Sequence, residues 1–135
     1  MSEKGSMPTI LLIEDDEAVR RVLRCMLLGQ GHRVIEAGSA PEAIRTAAAS
    51  PDPIDLVIAD VVMPRSNCDA LVAELRDARP NLQSVLISGY SEDILMQHGV
   101  DARRHPNFLQ KPFSAGQLRT KIHEALGTET MRTHA

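Results

Sequence analysis

The chain has 135 residues, 43% of them hydrophobic, which is enough to bury the core of one globular domain. A formal net charge of −3 leaves no basic footprint for nucleic acid, and no apolar run approaches the roughly 20 residues of a membrane-spanning helix. The two cysteines, Cys25 and Cys68, form no CxxC pattern, so zinc and redox chemistry lack support and reduced thiols in a cytoplasmic protein are expected.

Met1–Pro8 is polar and reads as a flexible leader. Thr9–Ile13 (TILLI) is a short apolar run with the pattern of a buried strand, and it ends in acids, Glu14-Asp15-Asp16-Glu17. Helical periodicity follows at once. Val19, Val22, Leu23, Met26 and Leu27 fall on one face and leave Arg20, Arg21 and Arg24 for the other. Asp15 or Asp16 is placed to cap this helix, where the dipole favours an acid by roughly 0.3–1 kcal/mol. Gly29 and Gly31 end it. Because Gly-Gln-Gly closes a helix instead of opening one, it reads as C-cap chemistry and not as a dinucleotide loop.

Arg33–Ala37 (RVIEA) reads as a second strand. Ser39-Ala40-Pro41-Glu42 is a capping box with proline in the first turn, opening a helix that runs to about Ala49. Pro51-Asp52-Pro53 breaks it. Within Ile54–Pro64 (IDLVIADVVMP), the run Leu56–Ala59 delivers one carboxylate, Asp60, and the segment stops at Met63-Pro64, as a strand buried on both faces does. After a loop over Arg65–Asp69, Cys68–Ala78 reads as a helix with Leu71, Val72 and Leu75 inward, stopped by Pro80. Ser84–Ser88 (SVLIS) is a fourth strand, ending at Gly89-Tyr90.

Ser91–Gln97 is a short helix at best, and Gly99–Asn107 is irregular, with Arg103-Arg104-His105 a solvated basic patch. Phe108-Leu109-Gln110 is a last strand, followed by Lys111-Pro112-Phe113. Ser114–Gln117 is a second capping box, opening a helix with Leu118, Ile122, Ala125 and Leu126 inward and Gly127 at its end. The tail 128–135 is expected to fray. Five histidines (His32, His98, His105, His123, His134) show no ligand spacing and read as surface residues.

Five strands alternating with five helices predict an α/β fold: a five-stranded parallel sheet, doubly wound, in three α/β/α layers, over residues 9–127. In such a sheet the strand ends bring Glu14, Asp15, Asp60, Ser88 and Lys111 to one edge, where open α/β sheets bind ligands. Acids gathered in low dielectric repel one another, and a hard cation such as Mg²⁺, which takes carboxylates, waters and a phosphate, relieves them. A hydroxyl and a lysine complete what a phosphoryl group needs, with an aspartate as candidate nucleophile.

The four motifs ILLIEDDE, DLVIADVVMP, VLISGY and FLQKPF, in this order and spacing, resemble the receiver domain of two-component response regulators, with the chemotaxis regulator the simplest relative. The resemblance spans roughly Thr9–Gly127 and implies a (βα)5 flavodoxin-like fold. It implies that Asp60 accepts a phosphoryl group from a phosphohistidine on a histidine kinase or histidine phosphotransfer protein. It implies Mg²⁺ (or Mn²⁺) held by Asp15, Asp60 and the backbone carbonyl of Val62, with Glu14 acting through water. Ser88 and Lys111 would bind phosphoryl oxygens, and Phe108 would turn inward on switching. The signal would appear on the surface of the fourth helix, fifth strand and fifth helix, also the candidate face for a homodimer. Val62 and Tyr90 occupy positions that shape access to the site.

Two departures stand out. Cys68 occupies the place of a family glycine four positions beyond Pro64, so the loop after the third strand is expected to take another path. Gly99–Asn107 lacks the family's Gly-Ala-x-Gly pattern, so the fourth helix is expected to be short or mobile; this segment, with SGYSED and FLQKPFS, looks more like receivers attached to hybrid sensor kinases than like transcription-factor receivers. The expected product is a phosphoacceptor module, from a hybrid kinase or a stand-alone regulator, that catalyses only its own phosphorylation and dephosphorylation. The alternatives are a receiver-like interaction domain that is never phosphorylated, or an aspartate-nucleophile phosphatase. The latter wants DxD after its first strand, whereas Asp60 is followed by Val61 and Val62.

Overall fold

The computed structural model describes residues 7–63, 67–97, 99–101 and 107–127. Within them the chain alternates strand and helix: β1 Thr9–Ile13, α1 Glu17–Gly29, β2 Arg33–Ala37, α2 Ala40–Ala49, β3 Leu56–Asp60, α3 Cys68–Ala78, β4 Gln83–Ser88, α4 Glu92–Gln97, β5 Phe108–Gln110 and α5 Ala115–Leu126. All pairings are parallel, in the order β2-β1-β3-β4-β5. The expected leader up to Ser6, the tail from residue 128, the Arg103-Arg104-His105 patch and residues 64–66, through which the displaced loop path before Cys68 would run, lie outside the described residues. Among those described, no helix is long and apolar enough to cross a membrane.

Strand side chains alternate between faces, so each central strand feeds two cores. Leu11, Ile13, Val57, Ala59 and Leu86 face the layer of α2, α3 and α4, where Ala43, Leu71, Leu75 and Leu95 meet them. Ile10, Leu12, Ile58, Val85 and Ile87 face α1 and α5, meeting Leu23, Leu27, Leu118 and Ile122. The central strands β1 and β3 are buried along their whole length, which is why they read as unbroken apolar runs.

Caps set the helix starts. Asp16 caps α1 by accepting from Val19 N–H, and Asn67 caps α3 by accepting from Ala70 N–H. Ser114 forms the full reciprocal box with Gln117. At Ser39 only half of the expected box forms: Ser39 accepts from Glu42 N–H, but the Glu42 carboxylate takes the Gly38 N–H one residue earlier. Helix α4 is six residues long and is anchored by one buried side chain, Leu95, in line with the short fourth helix expected from sequence.

Two burial assignments differ from the sequence reading. Of the five residues expected on the inward face of α1, Leu23 and Leu27 are buried, and the stripe is centred between them. At about 100° per residue, Val22 then falls outside the stripe, and it is 55% exposed. Arg20, three residues before Leu23, shares the stripe's side and turns toward the sheet instead of away from it. His32, expected at the surface, is buried in the turn between α1 and β2, and neither ring nitrogen has a hydrogen-bond partner among the described residues. Burial, with His123 nearby, lowers its pKa.

Candidate functional site

Strand β1 ends at Ile13, so the next two residues emerge at the carboxyl edge of the sheet. Glu14 is held from every side. Its N–H donates to the Ala37 carbonyl (3.1 Å), and its own carbonyl accepts from Arg20 Nη1 (2.8 Å). Its Oε2 accepts from Asp16 N–H (3.1 Å) and its Oε1 from Lys111 Nζ (3.2 Å). Asp15, next along the turn, is exposed.

Asp60 is the last residue of β3 and is buried. Its Oδ1 accepts from Val62 N–H (2.9 Å) and its Oδ2 from Lys111 Nζ (3.0 Å). Lys111 reaches this point from the end of β5, two strands away, and is followed by a cis Lys111-Pro112 peptide. Its N–H donates to the Ser88 carbonyl (2.8 Å), so the backbone of β4 sets where its side chain starts. Ser88 lies one residue beyond Ile87, the register partner of Asp60; it is fully buried, and its Oγ accepts from Tyr90 N–H (3.0 Å).

The charges at this edge act on one another. Burial foremost, with Asp60 nearby, pushes the Glu14 carboxyl up to about 7, although the Asp16 N–H and the Lys111 charge oppose the rise. Burial pulls the Lys111 ammonium down, but the hydrogen bond and charge of Asp60, then Glu14, outweigh it and hold Lys111 above its ordinary value. Cys68, buried at the start of α3, has its thiol pushed up to about 12 by burial, then by Asp69 and Asp60, which makes it an unreactive packing residue.

Glu14, Asp15 and Asp60 each offer a carboxylate oxygen, and these lie within 4.8 Å of one another. Two oxygens bound to one Mg²⁺ at about 2.0–2.1 Å are at most about 4.2 Å apart. That limit applies to ligands on opposite sides of the ion, and adjacent ones lie about 3 Å apart; the three oxygens thus have the spread of a site that draws in around a cation, and their all-oxygen chemistry suits a hard divalent ion. Cavities of about 450 and 470 Å³ lie elsewhere, one lined by Ile54, Arg79 and Leu82, the other between α2 and α3.

The structure thus brings Glu14, Asp15, Asp60 and Lys111 together and sets Ser88 on the adjoining strand end. Phe108, half-buried on β5, packs against the core on the α2–α4 side of the sheet. Val62 and Tyr90 are each 45% exposed. Sequence reading missed Arg20 and the Asp16 N–H, both of which hold Glu14. The available signal was the position of Arg20 beside the Leu23–Leu27 stripe.

The family model described as response regulator receiver domain matches residues 10–123. The chain belongs to that family. It is 38% identical over 118 residues to the sensor kinase CckA of Brucella abortus, covering 87% of this chain and 12% of that protein. It is 34% identical over 125 residues to the transcriptional regulator NtrC of Azospirillum brasilense, covering 93% of this chain and 25% of that protein. The receiver thus spans a quarter or less of either relative's length.

The crystallised receiver domain of the hybrid histidine kinase CckA superposes on this receiver with a TM-score of 0.70 at 31% identity, over 87% of this chain and 98% of that one. Response regulator TrrA of Thermotoga maritima, crystallised with Mg(2+)-BeF, gives a TM-score of 0.75 at 23% identity over 89% of this chain and all of that one, which shows a shared fold. This receiver is a domain of two-component signalling.

Proposed function

We propose that this receiver accepts a phosphoryl group on Asp60 from a phosphohistidine of a histidine kinase or histidine phosphotransfer protein, with Mg²⁺ or Mn²⁺ as cofactor. The observation that carries this reading is the double contact of Lys111 Nζ with Asp60 Oδ2 and Glu14 Oε1 beside the three-acid cluster. Asp60 acts as nucleophile through a carboxylate oxygen, with Val62 N–H orienting the other. The new O–P bond forms as the P–N bond breaks. Its electron pair returns to the imidazole nitrogen, which takes up a proton.

Asp15, Asp60 and the Val62 carbonyl would hold the cation, with Glu14 acting through water. The cation, when bound, screens the acids and draws charge from the phosphoryl oxygens. Lys111, freed from its contact with Asp60, pairs with one phosphoryl oxygen, and Ser88 donates to another after leaving the Tyr90 N–H. Phe108 then turns further inward, and the surface of α4, β5 and α5 changes. Helix α4, a six-residue helix with one buried side chain, Leu95, suits a mobile part of that surface, which is also the face proposed for a homodimer. Val62 and Tyr90 limit the approach of water to the phosphoryl group. The receiver catalyses its own phosphorylation and dephosphorylation and no other turnover. A cytoplasmic setting, where kinase phosphohistidines occur, fits this role, and the likeness to CckA favours a receiver fed by a hybrid kinase.

The test is incubation with acetyl phosphate, with and without Mg²⁺, read by intact mass. Gain of one phosphoryl group that needs Mg²⁺ and is lost in Asp60→Asn supports the reading. Absence of any gain supports an interaction-only domain, and sustained turnover of phosphomonoesters supports a hydrolase.

A further inference from the structure

Arg20 is bound at both ends of its guanidinium. Nη1 donates to the Glu14 carbonyl at 2.8 Å, and Nε pairs with Glu36 Oε1 at 3.2 Å. The other oxygen of Glu36 is taken by Arg24 Nε at 3.1 Å, so the carboxylate on β2 is clamped between two arginines of α1. The Arg20 side chain is only 20% exposed. Gly38 leaves it room: a Cβ there would lie 3.2 Å from Arg20 Nη1 and 3.4 Å from Glu42 Oε1.

The carbonyl that Arg20 holds belongs to the peptide linking Glu14 to Asp15. The Glu14 carboxylate is pinned by Asp16 N–H and Lys111, but the Asp15 carboxylate has no hydrogen bond among the described residues. Its direction is therefore set by the backbone of the turn, which two side chains hold: Glu14 through the Asp16 N–H, and Arg20 through the carbonyl of the Glu14–Asp15 peptide itself. Charge-assisted hydrogen bonds of this length are among the stronger ones available to a protein, and outer partners that orient metal-binding groups change affinity by about 10- to 100-fold.

We propose that Arg20 is a positioning residue for divalent-cation binding: clamped by Glu36 and given room by Gly38, it fixes the Glu14–Asp15 peptide so that Asp15 faces the cation beside Asp60. This rests on the cation-dependent phosphorylation of Asp60 proposed above. The sign of one substitution separates positioning from simple charge. Arg20 is a cation close to a cation site, so charge alone predicts that its removal tightens Mg²⁺ binding. Positioning predicts the opposite.

The experiment measures Mg²⁺ affinity by titration calorimetry and Mn²⁺ affinity by electron paramagnetic resonance for the wild type, Arg20→Gln and Gly38→Ala, with melting in EDTA alongside. Gly38→Ala changes no charge and presses chiefly on the tip of Arg20, with Glu42 Oε1 the next atom it meets. Affinity about tenfold weaker in Arg20→Gln, with a smaller loss in Gly38→Ala, supports the proposal. Unchanged or tighter binding in Arg20→Gln overturns it, including when only the melting temperature falls. Should the wild type take up phosphate from acetyl phosphate with Mg²⁺ while Arg20→Gln binds the ion equally well, this inference alone fails. Should the wild type bind no divalent cation, the phosphoacceptor reading fails with it.

Discussion

The Lys111 ammonium stands 3.0 Å from Asp60 Oδ2, although the two residues are 51 positions apart and leave strands that are not neighbours in the sheet. The same ammonium reaches Glu14 Oε1, so one cation serves acids from β1 and β3. Both carboxylates are nearly buried, with side chains 2% and 11% exposed. Removing the lysine leaves their charges facing each other in low dielectric. Lys111→Met is expected to lower the stability of the metal-free protein near neutral pH by about 1–3 kcal/mol. Saturating Mg²⁺ is expected to raise the melting temperature of the variant more than that of the wild type. Equal melting of the two proteins in EDTA is the result that contradicts this.

The Glu14 carboxyl, raised by burial from 4.5 to about 7, makes the metal-free fold pH-dependent in an unusual direction for an acid. The folded chain holds that proton more tightly than the unfolded chain. The stabilisation is complete below the unfolded value of 4.5 and is lost as pH rises through about 7. Melting of the protein in EDTA should show a Glu14-linked fall over this window, and Glu14→Gln should flatten it. Because the cation and the proton compete for these acids, Mg²⁺ affinity should also weaken as pH drops below about 7. Calorimetry in buffers of different ionisation enthalpy would detect the released proton.

His32 carries an acid sensitivity of the opposite sign. Its folded pKa lies below the ordinary 6.5 because burial, then His123, disfavours the imidazolium. Stability linked to it is present above 6.5 and is lost as pH falls. Neither ring nitrogen has a partner among the described residues, so an apolar replacement forfeits no hydrogen bond to them. His32→Leu is expected to stay within about 1 kcal/mol of the wild type near neutral pH and to gain relative to it near pH 5. Urea midpoints at the two pH values decide this; a variant penalised equally at both would show that His32 acts through packing alone.

Val62 and Tyr90 are both half-exposed, and each neighbours a residue of the proposed phosphoryl site through its backbone N–H, Val62 to Asp60 and Tyr90 to Ser88. The Tyr90→Ala and Val62→Asn substitutions open the approach for water or supply it with a polar partner. Dephosphorylation of phospho-Asp60 is expected to speed up by about tenfold, a barrier change of about 1.4 kcal/mol, when both are combined. Loss of the phosphoryl label with time measures it, and unchanged lifetimes in both variants would remove these residues from the account.

Much of this architecture follows from local pattern. The apolar runs TILLI, LVIA and SVLIS are strands because short β-branched segments bury well on both faces of a parallel sheet. The helix starts follow from Asp16, Ser39, Asn67 and Ser114, whose side chains satisfy otherwise unpaired N–H groups. Strand alternation by itself put Glu14, Asp15, Asp60, Ser88 and Lys111 at one edge, since parallel strands end on the same side. What only the tertiary structure decided is which groups touch. Whether Lys111 reaches Asp60, whether His32 is buried, and whether Arg20 turns to the Glu14 carbonyl depend on helix rotation and side-chain reach across strands. Periodicity identifies a helix face to within about one residue's rotation, roughly 100°, and a shift of that size carries Val22 out into solvent and brings Arg20 round to the acid turn.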